Sequence, residues 1–121
     1  MKVTLAQLNP KVGDFQGNLD KALDVLEKVK PDSPDLIVFS ELFLTGYPPQ
    51  DLLEKKWFIE RQRQALDDLI KASRNHPDTG LVVGAAVPTN RSHGHGLYNA
   101  AVLVHQGQAG FFQAKTLLPV Y

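Results

Sequence analysis

Four apolar residues in unbroken succession, Leu36-Ile37-Val38-Phe39, constrain the fold more than any other stretch of this 121-residue chain. A short run with no polar alternation reads as a strand buried on both faces, and such strands need layers of structure around them. Ahead of it, Leu19, Ala22, Leu23, Leu26 and Val29 recur at helical spacing, with Gly17-Asn18 before them and Pro31 after. The spacing predicts a helix from about Asn18 to Lys30, with Asp20, Lys21, Asp24, Glu27 and Lys28 outward. Val3 to Leu8 precedes it as a strand that stops at Asn9-Pro10, where proline cannot continue a ladder. Strand, helix and strand form a β-α-β unit, whose strands run parallel by the usual right-handed crossover.

A second helix is expected from about Trp57 to Arg74. It presents Phe58, Gln62, Leu66, Leu69, Ile70 and Ser73 on one side, and Asn75-His76-Pro77 ends it. Leu81 to Val87 reads as a third buried strand, followed by a polar loop from Thr89 to Gly96. Leu97 to His105 and Gly110 to Lys115 are strand-like, joined by the hairpin connection Gln106-Gly107-Gln108-Ala109. The fold class is therefore α/β with a mixed sheet.

Composition narrows the function classes. The length is that of one domain, 43% of residues are hydrophobic and 21% charged, and thirteen basic side chains balance thirteen acidic ones. Nothing in that balance favours nucleic acid or an anionic membrane as a partner. The start is too short and interrupted for a signal peptide and no segment approaches a bilayer span, so the cytoplasm is the default location. Without any cysteine the chain has neither disulfides nor thiolate metal sites. Its last residues, Leu117-Leu118-Pro119-Val120-Tyr121, are apolar where free ends are usually polar, which suggests a chain that stops inside a domain.

Two charged residues stand at the ends of apolar segments. Glu41 follows Leu36 to Phe39 and precedes the turn Thr45-Gly46-Tyr47-Pro48-Pro49, and Lys115 closes Phe111-Phe112-Gln113-Ala114. Open α/β sheets commonly bind ligands outside the carboxyl ends of their strands, where Glu41 falls. A buried acid and a buried ammonium there suggest acyl-transfer chemistry, which also needs a nucleophile. Each residue alone has a plainer reading: Glu41 as a cap of the turn that follows, Lys115 as a lysine extending its ammonium to water.

Their surroundings resemble a known family. Ser40-Glu41-Leu42-Phe43-Leu44-Thr45-Gly46-Tyr47 resembles the glutamate motif of the nitrilase, or carbon-nitrogen hydrolase, superfamily, and Lys115-Thr116-Leu117-Leu118-Pro119 its lysine motif, in the family's order. Ala6-Gln7-Leu8-Asn9-Pro10 resembles its opening strand, and Leu97-Tyr98-Asn99-Ala100-Ala101 the segment before its lysine strand. Gly46-Tyr47-Pro48-Pro49-Gln50-Asp51-Leu52-Leu53 is similar to a stretch of the glutamine-hydrolysing domain of glutamine-dependent NAD synthetases, with Gln50 in place of the usual glutamate. Val12 to Asn18 points to the same subgroup.

The resemblance implies the amino-terminal part of a nitrilase-type α-β-β-α sandwich, with helices on one face of the mixed sheet, so that residues 1–121 are a fragment of an amidase domain. It implies Glu41 as general base, Lys115 as the charge that stabilises the oxyanion, and Tyr121 as a substrate contact. The third catalytic member of the family is a cysteine beyond the lysine, so the chain alone is expected to be inactive. Glutamine is the implied substrate, the remainder of the parent chain the implied partner, and a homo-oligomer the expected assembly. No cofactor is expected in these residues, whereas ATP, Mg and deamido-NAD are implied for a separate synthetase domain.

Alternatives are a stand-alone amidase or nitrilase acting on another small substrate, and a non-catalytic scaffold. Weaker motifs are absorbed by plainer readings. Tyr47 is expected to pack with its hydroxyl bonded to a loop carbonyl. His93-Gly94-His95 lacks a clear third ligand and reads as a solvated loop. Asn90-Arg91-Ser92 matches a glycosylation sequon that means little without secretion. Ser40 and Thr116 lie in no nucleophile elbow and beside no evident base.

Overall fold

A computed structural model describes residues 1–46, 52, 55–88 and 97–117, those at 88, 97–99 and 111–117 by their backbone. The elements follow in the order β1 (Val3–Ala6), α1 (Phe15–Val29), β2 (Leu36–Phe39), α2 (Lys56–Ala72), β3 (Gly80–Pro88), β4 (Leu97–His105) and β5 (Gln108–Leu117). The strands lie side by side in sequence order. β1, β2 and β3 are parallel, and β4 and β5 are each antiparallel to the strand before them. The sheet is mixed, as the sequence predicts, and β5 points the same way as β2.

Local chemistry explains where the boundaries depart from the sequence reading. α1 begins three residues before Asn18 because the Asp14 carboxylate accepts from the Gly17 amide at 3.0 Å. This N-cap places Gly17 and Asn18 inside the first turns. β1 stops at Ala6 rather than Leu8 because its partner β2 ends opposite it, at Phe39. The β4–β5 turn is shorter than the predicted four residues. Gln106 and Gly107 both have positive φ, 51° and 77°, and His105 pairs directly with Gln108. That is the two-residue type I′ turn, whose twist matches the strands it joins.

Pleating decides which face is buried. Ile37, Leu81 and Val104 lie in one row across β2, β3 and β4, and Val83 and Val102 in another. These residues form one core with Phe15, Leu19, Ala22 and Leu26 of α1 and Phe58, Ala65 and Leu69 of α2. Both helices therefore sit on the same face, in contact where the Phe15 and Phe58 rings meet edge-on at 4.8 Å. Leu36 and Val38, on the other face, are only half-buried, and Val3, Leu5 and Leu103 there are 47%, 67% and 37% exposed. The apolar run of β2 is thus covered on one side, not on both, by the described residues.

Helix α2 also fixes the sheet by polar contacts. Among the described residues β2 pairs with β3 as far as Val38 and Val82, and further along β3 the Gln62 carboxamide takes both backbone groups of Ala86. At the far end of α2, the Ser73 hydroxyl accepts from the Gly107 amide at 2.8 Å. The Gln106 side chain donates to the Pro77 carbonyl at 3.2 Å, so the hairpin tip is held against the segment that follows α2.

Candidate active site

Beyond Phe39 the chain turns sharply before residue 47. Leu42 adopts a left-handed φ of 51° and Gly46 one of 79°. A left-handed leucine is uncommon and persists where the surroundings over-determine it. Here Leu42, Phe43 and Leu44 are 1%, 0% and 0% exposed, driven together into the core. The Thr45 hydroxyl closes the turn from within, donating to the carbonyls of Leu42 at 3.1 Å and Gly46 at 2.9 Å.

Two glycines let this turn pack tightly. A Cβ on Gly84 of β3 would stand 2.7 Å from the Leu42 nitrogen and 2.9 Å from the Glu41 Cα. The turn therefore leans onto β3 at a distance no side chain would permit. A Cβ on Gly46 would stand 2.5 Å from the Val12 nitrogen, because the turn also abuts the loop before α1. The Gly13 amide donates to the Thr45 carbonyl at 2.9 Å across the same seam.

Glu41 heads this turn at the carboxyl end of β2, as its place in the sequence predicts. Its side chain is exposed, however, where the apolar flanks led us to expect burial. Three successive apolar side chains take the inward directions of the turn, and Glu41 is left on the outer side.

Lys115 lies near the carboxyl end of β5, at the same end of the sheet. Ala100 pairs with Ala114 and Tyr98 with Leu117, so two steps along β4 match three along β5. Lys115 and Thr116 span this bulge, a device that bends a strand and re-aims its residues and that recurs beside active sites. Since the Glu41 turn already leans onto β3, two interstrand spacings remain between β3 and β5, roughly 10 Å.

Tyr121, Tyr47, Asn90, His93 and His95 lie outside the described residues, as does most of the stretch from Tyr47 to Leu53. Among the described residues no three His, Asp or Glu side chains gather where they would hold a metal ion. No described helix is long and apolar enough to cross a membrane.

Sequence reasoning missed what positions the turn and the edge of β3. Asn18 and Gln62 are polar residues on otherwise apolar helical stripes, and each is buried and hydrogen-bonded to backbone groups. A polar side chain at a core-facing position was the available signal, since burial without hydrogen bonds is costly. Gly84 inside a strand was another, because glycine there marks a close backbone approach.

The sequence matches the carbon-nitrogen hydrolase family over residues 2–119. The chain belongs to the carbon-nitrogen hydrolase family. It is 40% identical over its whole length to the glutamine-dependent NAD(+) synthetase of Thermotoga maritima and 37% identical to that of Aquifex aeolicus, and it spans 20% of each. The solved glutamine-dependent NAD+ synthetase of Acinetobacter baumannii, in complex with ADP, superposes with a TM-score of 0.79 at 32% identity, over 99% of this chain and 22% of that one. An amidase from Nesterenkonia sp. shares the fold, with a TM-score of 0.73 at 24% identity over 90% of this chain and 40% of the amidase. The five-stranded mixed sheet with both helices on one face is thus the part of the carbon-nitrogen hydrolase fold that these residues build.

Proposed function

We propose that residues 1–121 are the first part of the glutamine-hydrolysing domain of a glutamine-dependent NAD synthetase, supplying Glu41 and Lys115 to its active site. The observation that carries this reading is that the Glu41 turn and the Lys115 bulge stand at the same end of the sheet. Similarity to synthetases over the whole of this chain, though over only 20% of each synthetase, supports the choice of subgroup.

In this reading the Glu41 carboxylate takes the proton of a cysteine thiol supplied by the rest of the parent chain. The sulfur attacks the side-chain amide carbon of glutamine, and the positive charge of Lys115 offsets the oxyanion that forms. The proton held by Glu41 passes to the departing nitrogen, ammonia leaves, and water releases glutamate from the thioester. Tyr121 contacts the substrate. Ammonia then serves the amidation of deamido-NAD, for which ATP and Mg belong to the synthetase portion. The described residues gather no carboxylate or imidazole cluster for a cation, so they do not fit Mg and no step here runs through it. The parent acts in the cytoplasm as a homo-oligomer.

The test is glutamate release from glutamine. The full-length protein is expected to turn over, the 121-residue chain alone to stay at the buffer blank, and Glu41→Gln to lower the full-length rate by about 10²–10⁴-fold. Turnover by the chain alone, or an unaffected Glu41→Gln enzyme, overturns the assignment.

A further inference from the structure

We infer that Asn18 is a positioning residue that fixes the Glu41 turn from helix α1. The Asn18 side chain is fully buried. Its Nδ2 donates to the Leu44 carbonyl at 3.0 Å and to the Lys11 carbonyl at 2.8 Å, while its Oδ1 accepts from the Lys11 amide at 2.9 Å. One carboxamide thus joins three pieces of chain: the first turns of α1, the loop before it, and the turn headed by Glu41. Leu44 lies three residues beyond Glu41, and Thr45 and Leu42 are bonded to each other within the same turn. Displacing Leu44 therefore displaces the segment that carries the carboxylate.

The chemistry selects asparagine. Two donations and one acceptance at this reach need a carboxamide; an aspartate of the same shape keeps the acceptor for Lys11 and, when ionised, has no proton to donate. Leucine-rich surroundings alone would not determine the turn, since Leu42 sits at a backbone conformation that leucine disfavours. On one side Gly84 admits the turn to the sheet, and on the other Asn18 holds it there. A small displacement of a reacting group lowers rate without weakening substrate binding elsewhere in a site.

The inference concerns the geometry of the turn, and its kinetic consequence rests on the glutaminase reading. The experiment has two arms. In the first, native-state amide hydrogen exchange is measured on the full-length protein with Asn18→Asp and Asn18→Ala, against Leu69→Val as a core substitution away from the turn. Faster exchange at residues 41–46 and in the Lys11 loop that Asn18 also holds, with the rest of the domain unchanged, is expected for both Asn18 variants and not for Leu69→Val. In the second, glutamine turnover is measured in the full-length protein, where both Asn18 variants are expected to lose about 10²-fold in kcat with KM unchanged, while Leu69→Val keeps the unmodified kcat.

Unchanged exchange at 41–46, or an equal rise throughout the domain, overturns the inference. So does an Asn18 variant that opens the turn yet keeps the kcat of an active full-length protein, or the failure of both variants to fold. If the unmodified full-length protein has no glutaminase activity, the proposed function falls and the exchange arm alone decides the role of Asn18.

Discussion

The Gln62 carboxamide donates to the Ala86 carbonyl at 2.6 Å and accepts from the Ala86 amide at 2.9 Å, so a side chain of α2 plays the part of a neighbouring strand. Both backbone groups of Ala86 would otherwise face the edge of β3 unpaired, in a position that is 1% exposed.

Replacing Gln62 with leucine leaves these two buried groups without partners. The expected loss is about 2–6 kcal/mol, the sum of two orphaned hydrogen-bonding groups. Chemical denaturation reads it as a lower midpoint at unchanged slope. A midpoint close to that of the unmodified protein would show that water satisfies Ala86 instead.

Adding one methyl group at Gly84 drives it into the backbone of Glu41 and Leu42. Gly84→Ala is expected to destabilise by about 1–3 kcal/mol through forced movement of the turn. Gly110→Ala is the control, because its Cβ would meet nothing within 4 Å. Equal melting temperatures for the two variants would contradict a close approach of turn and sheet.

Asp14→Ala removes the cap that starts α1 and is expected to cost about 1 kcal/mol, with Asp14→Ser recovering most of it. Thermal melts of the three proteins check this. Faster exchange of the Gly17 amide in the alanine variant would place the loss at the helix start.

Arg63 on the outer face of α2 pairs with Glu60 and, at 2.8 Å, with Asp67. The hydrogen bond from Arg63, assisted by its charge, holds the Glu60 carboxyl below its ordinary range. A depressed carboxyl contributes stability that is present above its unfolded pKa and disappears as pH falls through the lower, folded value. The group is exposed to solvent, so salt screens the effect. An NMR titration should find Glu60 titrating below an ordinary glutamate in dilute buffer and returning towards it in Arg63→Ala or at high salt. No shift between those conditions would discount the pair.

Periodicity revealed the element order because each element here has a clean pattern: unbroken apolar runs for β2 and β3, a stripe every three or four residues for α1 and α2. Ends were harder to read, since a cap such as Asp14 or a missing partner such as that beyond Ala6 depends on residues distant in sequence. Glu41 was found from its place after β2, yet its exposure depends on how Leu42, Phe43 and Leu44 share the interior, which no local pattern specifies. The bulge at Lys115 is a register effect between two strands and has no signature in either one alone. Asn18 and Gln62 broke their helical stripes, and those breaks mark the side chains that tie the helices to backbone elsewhere.

Helix α2 touches the sheet at Gln62 and is followed directly by Ser73, which holds the hairpin tip. A residue inserted between the two would rotate the later anchor by roughly 100° relative to the earlier one. The span from Gln62 to Ser73 is therefore a fixed measure: a single insertion or deletion there would detach either the edge of β3 or the β4–β5 hairpin.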